Sequence, residues 1–307
     1  MLVIGGSSLL GYKILSNANK FELYTSYNRN LITSKNIEVL KIDITNEGNC
    51  EKILDLKPDI IINTAAMTNV DYCEKFEKNA FDVNVTGTKN IAKIAEKLGS
   101  KLIHISTDAV FSGNKKFYIE DDEPNPINIY GKTKLESEKI VSKVPDSIIL
   151  RPSVLFGWIP SEYIKTRDAS IKTMNFGLWV LNELNKNNKI SVVNDQFNTP
   201  TLADNLAENI LELIKINVTG TFHLSGLSCI NRLDFSKKIA KTFGYSNDLI
   251  SSISSKKLKQ IAPRSFQSCL KCDKIVENGI NLLKIDESIK KMYNQIKVEQ
   301  PEIIGRT

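Results

Sequence analysis

The sequence predicts an α/β protein, a doubly wound, Rossmann-type parallel sheet with a smaller C-terminal substrate lobe. Short apolar runs alternate with amphipathic segments along most of the chain, as strands covered by helices on both faces require. A glycine-rich turn, Gly5-Gly6-Ser7-Ser8-Leu9-Leu10-Gly11, follows the first apolar run directly. Polar motifs recur where the runs end, which is the rim where such sheets bind ligands.

The first run, Met1 to Ile4, leads through that turn into a helix-compatible segment, Tyr12 to Asn19. A strand, a tight glycine turn and a helix N-terminus make an anion site, because the glycines let backbone approach a pyrophosphate and the helix dipole favours its charge. With Gly5 and Gly11 as the outer glycines, the middle position is Ser8. Further runs at Phe21–Thr25, Val39–Ile42, Ile60–Asn63, Leu102–Ile105, Ile148–Leu150 and Thr221–Leu224 supply the remaining strands. Asn79–Leu98 has the spacing of one long helix. Gly5–Gly11, Asn63–Thr68 and Ser106–Asp108 all fall at strand ends, so three motifs converge on one rim.

Periodicity changes after Gly157. The expected division is a dinucleotide-binding domain of residues 1–150 with part of 181–225, and a substrate lobe of 151–180 and 226–307. Residues 158–174 form a long, charged connection that suits a solvated loop, a lid or an interface.

Tyr130 and Lys134 stand four apart in a segment, Tyr130 to Val141, that is helical if its pattern holds. Both side chains then share a face. A nearby cation lowers a phenol's pKa and makes it a usable proton donor, and the Thr107 hydroxyl is expected to hold a carbonyl oxygen beside it. The second strand ends at Tyr27-Asn28-Arg29-Asn30, with no acid to take both ribose hydroxyls of NAD. Arg29 suits a 2′-phosphate instead, so NADP(H) is expected as the preferred cofactor, with NAD(H) possible.

At 307 residues, 41% hydrophobic and 25% charged, the chain is ordinary for a globular protein. It holds no run of about eighteen apolar residues, and its first strand is expected from Met1, which reads as a cytoplasmic protein without signal peptide or membrane partner. The net charge of +6 is dispersed, which argues against nucleic acid as a partner. Five scattered cysteines make a disulfide framework unexpected, and Cys269-Leu-Lys-Cys272 lacks a second ligand pair, so no metal site is expected. His104 and His223 lie in apolar strand-like runs and are expected to be buried and hydrogen-bonded.

Taken in order, the Gly-rich turn, Asn63-Thr-Ala-Ala-Met-Thr-Asn-Val-Asp71, His104-Ile-Ser-Thr-Asp-Ala-Val-Phe111, Tyr130-Gly-Lys-Thr-Lys134 and Leu150-Arg-Pro-Ser-Val-Leu-Phe-Gly157 resemble an extended short-chain dehydrogenase/reductase. Asp195-Gln-Phe-Asn-Thr-Pro-Thr201, Gly220-Thr-Phe-His-Leu-Ser-Gly226 and the late Pro263-Arg264 are similar to the dTDP-4-dehydrorhamnose reductase branch.

That resemblance implies an NAD(P)H-dependent oxidoreductase acting on a 4-keto nucleotide sugar in dTDP-rhamnose biosynthesis. It implies Tyr130 as proton donor, Lys134 as the residue tuning it and holding the nicotinamide ribose, and Thr107 on the carbonyl. Gly5, Ser8, Leu9, Leu10 and Gly11 would lie along the pyrophosphate, Asn28 and Arg29 by the ribose, Asp43 and Ile44 by the adenine, and Ala65 and Ala66 beside the cofactor. Asp108, Val154 and Arg264 join Thr107 and Tyr130 in contacting substrate, and Asn84 would help order the site. The family usually has an aromatic at Ala109 and commonly a Trp at Val154, which leaves the sugar open. Tyr130 to Lys139 and Gly220 to Gly226 also resemble the NADP-binding regulatory (beta) subunit of methionine adenosyltransferase. The alternative partner is therefore that enzyme's catalytic subunit, and a homodimer is a further possibility.

Overall fold

The computed structural model of the chain describes residues 1–32, 37–160, 163 and 174–305. Seven strands make the main sheet: β1 (Leu2–Ile4), β2 (Tyr24–Tyr27), β3 (Glu38–Lys41), β4 (Ile60–Asn63), β5 (Lys101–Ile105), β6 (Ser147–Arg151) and β7 (Gly220–His223). Their spatial order is β3-β2-β1-β4-β5-β6-β7, and every pairing is parallel. The expected doubly wound sheet is therefore present. Its central strands are covered on both faces, and all five residues of β6 are buried. That is why they read as continuous apolar runs without alternation.

Strand order reverses between β1 and β4, which opens a crevice beyond their carboxyl ends. The glycine turn fills one side of it. Gly5 has φ +86°, a conformation that favours glycine. Ser8, the middle position of the turn, caps the helix Leu9–Asn17 by accepting the Gly11 N–H at 2.9 Å. Its hydroxyl also lies 3.1 Å from that of Thr64, which follows β4. A Cβ on Gly11 would stand 2.5 Å from the Gly5 carbonyl oxygen, so this glycine lets the helix rest on the turn.

The long helix expected at Asn79–Leu98 is broken in character. Glu77–Phe81 and Gly87–Leu98 are α-helical, and Asp82–Thr86 between them is a π-turn. Such turns displace side chains from regular spacing and are frequent at functional sites. Here the displaced segment contains the fully buried Asn84.

A second core gathers Phe156, Trp158, Leu181, Phe235, Phe243, Ile289 and Met292, with helices Phe176–Asn185, Arg232–Phe243 and Ile285–Glu299 around it. The strands Ile190–Val193 and Ile250–Ile253 pair in parallel beside it. Helix Ala203–Lys215 and β7 return to the main sheet, and Leu206 and Ile210 share a core with Val3 and Ile14. So do Cys272, Ile275, Ile280 and Leu282, which sequence reading placed in the lobe. A four-stranded sheet, ordered Ile230–Asn231, Phe197–Asn198, Gln267–Leu270 and Asn114–Tyr118, stitches lobe to domain.

Cys229 and Cys269 form a disulfide with Cα atoms 5.5 Å apart, contrary to the expectation from scattered cysteines. Forty residues separate them, so spacing alone carried no sign of the pairing. Cys272, the other half of the apparent metal pair, is a buried free thiol, and no metal-holding cluster occurs among the described residues. No described helix is long and apolar enough to cross a membrane.

Gly131, inside the helix Ile129–Val141, packs against the backbone that carries Thr107. A Cβ there would collide with the Ala109 carbonyl oxygen and lie 2.9 Å from the Pro126 ring. Gly131→Ala is expected to destabilise the protein by about 1–3 kcal/mol through overpacking. Urea denaturation with an unchanged m-value and an unchanged midpoint would contradict this.

Candidate active site

One cavity of about 750 Å³ lies between the two halves. The rim of the main sheet contributes Ser8, Leu9, Leu10, Ala66, Thr107, Asp108 and Tyr130 to its wall, and the lobe side contributes Val154, Arg232, Arg264 and Ser268. Nine of the residues singled out from the sequence therefore meet there. Gly5 and Gly11 stand behind the wall as turn glycines, and Ala65 lies beside the Gly5 turn.

The second-strand residues divide. Asn28 and Arg29 are exposed, whereas Asn30, which sequence reading did not single out, is buried and lines the cavity. Asp43 accepts both the N–H and the hydroxyl of Thr45, at 3.0 and 2.7 Å, closing a turn after β3. The Ile44 side chain is buried beneath Gly87.

Thr107 sits just past the end of β5. Its hydroxyl accepts the Ala109 N–H at 3.2 Å and lies 3.1 Å from Asp108 Oδ1. It lines the same cavity wall as the Tyr130 phenol. Tyr130 reaches it from the first turn of Ile129–Val141, a helix capped by Asn128, which accepts the Gly131 N–H at 2.8 Å. Asn128 also donates to the Pro263 carbonyl at 3.0 Å, so one side chain sets the helix start beside Arg264.

Burial pushes the Tyr130 phenol well above its ordinary pKa, the nearby Thr107 hydroxyl opposes this, and Asp108 and Cys73 add to the rise. Lys134, expected to tune this phenol, is engaged with another partner. The Lys134 Nζ instead lies 2.9 Å from His104 Nε2, and burial lowers this lysine to about 7 while Glu138 acts in the opposite sense. Glu138 pairs in turn with Arg151, through Nε at 3.0 Å and Nη2 at 2.7 Å, and accepts the Ser106 hydroxyl.

Asn84 clamps the two halves of the rim together. It accepts the Met67 N–H at 2.7 Å and donates to the Met67 carbonyl at 3.2 Å and to Thr133 Oγ1 at 2.9 Å. The loop after β4 is thereby held to the Tyr130 helix, and the π-turn supplies the reach.

Asp108 is more heavily engaged than a free substrate contact would be. Its Oδ2 accepts from Ser153 at 2.7 Å, Ser268 at 2.8 Å and Asn198 at 3.2 Å. Ser153 and Asn198 escaped sequence reading because each is a small polar residue in a motif read for other positions, and Ser268 because it lies between motifs.

Two arginines face the cavity from the lobe side. Arg264 bonds Asp71 at 2.9 Å and the Ala262 carbonyl at 2.9 Å. Arg232, also missed in sequence, lies with its guanidinium 4.7 Å from the Phe176 ring, and burial lowers its pKa to about 10. Val154 has φ +44°. That is unusual for a β-branched residue and costs on the order of 1–3 kcal/mol where surroundings enforce it.

Of the 158–174 connection, residues 158–160, 163 and 174 are described. The Tyr163 hydroxyl donates to the Gly6 carbonyl at 3.1 Å and its ring lies 4.5 Å from that of Tyr12. Residues 161, 162 and 164–173, on which the lid expectation mainly rested, fall outside the described residues.

The cavity fits a dinucleotide. The helix N-terminus opens into it through Ser7 to Leu10, and the turn behind allows close backbone approach.

Comparisons with known proteins point the same way. A model of the RmlD substrate binding domain family matches residues 1–298. The chain is 32% identical over 292 residues to the dTDP-4-dehydrorhamnose reductase of Aggregatibacter actinomycetemcomitans, covering 90% of this chain and 91% of that one. It is 36% identical over 233 residues to the probable low-salt glycan biosynthesis reductase Agl14 of Haloferax volcanii, covering 75% of each. A solved dTDP-4-dehydrorhamnose reductase from Bacillus anthracis, in complex with NADP, superposes with TM-score 0.83 at 27% identity, over 96% of this chain and 98% of that one.

Both histidines are fully buried, as expected, and burial lowers the pKa of each, His223 to about 3. The unfolded chain takes up protons on them near pH 6.5 and the folded chain does not, so stability is lost as pH falls below about 6.5. The expected slope is up to about 1.4 kcal/mol per pH unit for each histidine. Urea midpoints between pH 6.5 and 5 should show it, with the slope about halved in His223→Gln, and a flat profile would contradict it.

Proposed function

The chain belongs to the RmlD substrate binding domain family, and on that premise we propose that it is an NAD(P)H-dependent reductase of a 4-keto nucleotide sugar, with dTDP-4-dehydrorhamnose as the substrate to try first. One observation carries the reading. The Thr107 hydroxyl and the Tyr130 phenol share the wall of a cavity that also holds a helix N-terminus and two arginines.

When bound, the reduced nicotinamide supplies a hydride to the ketone carbon. The chain's own residues handle the oxygen. Burial keeps Tyr130 protonated, so it arrives with a proton to donate as negative charge develops on the ketone oxygen. Thr107 donates a hydrogen bond to the same oxygen, an interaction stronger in the transition state than before it. Lys134, one turn further along the helix, supplies the positive charge that favours the phenolate left behind.

The helix N-terminus at Ser8 to Leu10 suits the cofactor's pyrophosphate. Arg232 and Arg264 suit the substrate's diphosphate, because planar guanidinium groups match phosphate oxygens. Val154 shapes the sugar pocket in place of the family's Trp. The reductase names carried by relatives at this identity and coverage favour catalysis over the regulatory alternative.

Tyr130→Phe should lower turnover of dTDP-4-dehydrorhamnose by about a hundred- to ten-thousand-fold while leaving cofactor affinity nearly unchanged. Absorbance of the reduced nicotinamide reports the first and fluorescence titration the second. Full activity in Tyr130→Phe would end the proposal. For cofactor choice, Arg29→Ala should weaken NADPH on the order of tenfold and leave NADH almost untouched, since one charge-assisted hydrogen bond is at stake. NADH binding that is tighter than NADPH in the native protein would refute the preference.

A further inference from the structure

Lys134 ends against an imidazole, not a carboxylate. Its Nζ is 2.9 Å from His104 Nε2, and both side chains are buried, at 1% and 0% exposure. Burial and the neighbouring lysine keep the ring neutral, so it offers one N–H and one lone pair.

Two independent contacts place that hydrogen on Nε2. Asn63 accepts the Ala65 N–H through Oδ1 at 3.2 Å, which turns its Nδ2 toward His104 Nδ1 at 3.4 Å. Nδ1 therefore carries the lone pair. On the opposite side, Ser137 gives its one hydroxyl hydrogen to the Lys134 carbonyl at 2.6 Å. Its oxygen, 3.0 Å from Nε2, must then accept from the ring. The Nε2–H, given to Ser137, leaves Nε2 no lone pair for the Lys134 nitrogen 2.9 Å away. An ammonium in that place would set N–H against N–H, whereas an amine presents a lone pair.

The geometry points to His104 as a positioning residue that favours the neutral amine of Lys134, making the charge of this lysine a titratable property of the site. Its mechanistic consequence rests on the reductase reading above, although its geometry does not. The titratable and charged groups facing Lys134 are His104 from β5, Glu138 and Tyr130 from its own helix and, through Glu138, Arg151 from β6. The neighbouring π-turn brings Asn84, an uncharged group, to Thr133. Glu138 is already answered by Arg151, so its pull on a Lys134 proton is weakened. Burial lowers Lys134 to about 7, in the direction the contacts require.

The proton balance is simple. As the cofactor and the developing phenolate favour a cation, the Lys134 lone pair takes one proton from water and becomes an ammonium. The His104 Nε2–H stays with Ser137. Above neutral pH, cofactor binding should therefore take up close to one proton.

The test is a direct titration of Lys134 by carbon NMR of labelled lysine side chains, with the resonance assigned through Lys134→Arg. Lys134 should titrate near pH 7 in the native protein. His104→Leu, which lacks the ring N–H, should move it upward by about one unit, a tenfold change in proton affinity, and His104→Gln, whose amide can donate from a similar place, should stay close to native. A merely structural role for His104 would leave the titration where it is. A downward shift, no shift, or a native Lys134 titrating near its ordinary value of about 10.4 would overturn the inference. If His104→Leu does not fold, the native titration still decides. Calorimetry of NADP binding in buffers of different ionisation enthalpy gives a second reading, with proton uptake expected at pH 8 and lost in Lys134→Met. The NMR titration needs no turnover, so a protein inactive on every 4-keto sugar would sink the reductase reading and leave this one standing.

Discussion

The Asp108 carboxylate holds the two halves of this molecule in register. It lies just beyond β5, 8% exposed, and receives hydrogen bonds from Ser153, Asn198 and Ser268. Those donors come from three separate segments, two of them strands of the stitching sheet. A buried carboxylate is tolerable only when its oxygens are satisfied, so the lobe strands must sit where their donors reach. Thr107 is the adjacent residue, and its hydroxyl leans on the same carboxylate. The position of the Thr107–Tyr130 pair relative to the lobe arginines is thereby tied to one charge.

Around that joint, other buried polar contacts remove remaining freedom. Lys13, in the helix after the glycine turn, pairs with Asp204 at 2.8 Å, and both are almost fully buried. This pair holds the helix after the glycine turn to the returning helix Ala203–Lys215. Asn84 and Asn128 fix the Tyr130 helix from its two sides. Such contacts contribute less through their own strength than through the cost of leaving them unmade, of order 1–3 kcal/mol for each orphaned group.

Much of this was legible in the sequence because local rules and the global fold agree there. The sheet could be read because its strands are buried on both faces and show as unbroken apolar runs. The glycine turn and the Tyr130 helix could be read because their chemistry depends on short spacings. What escaped depends on long-range placement. Ser153, Asn198 and Ser268 matter only because folding brings them to Asp108. The π-turn at Asp82–Thr86 leaves no compositional trace, and neither does the left-handed backbone of Val154. The engagement of Lys134 was hidden for a related reason. Helical spacing puts two residues on one face, but it says nothing of His104, which arrives from β5 and takes the lysine's nitrogen.

The two halves meet in one cavity, whose proposed work is to move a hydride onto a sugar ketone. The most direct measurement uses NADPH carrying deuterium at the transferable position of the nicotinamide, incubated with the protein and dTDP-4-dehydrorhamnose. Mass spectrometry and proton NMR of the isolated nucleotide sugar then locate the label. One deuterium per product molecule is expected, at carbon 4 of the sugar. Unlabelled sugar, or deuterium at any other carbon, would contradict it.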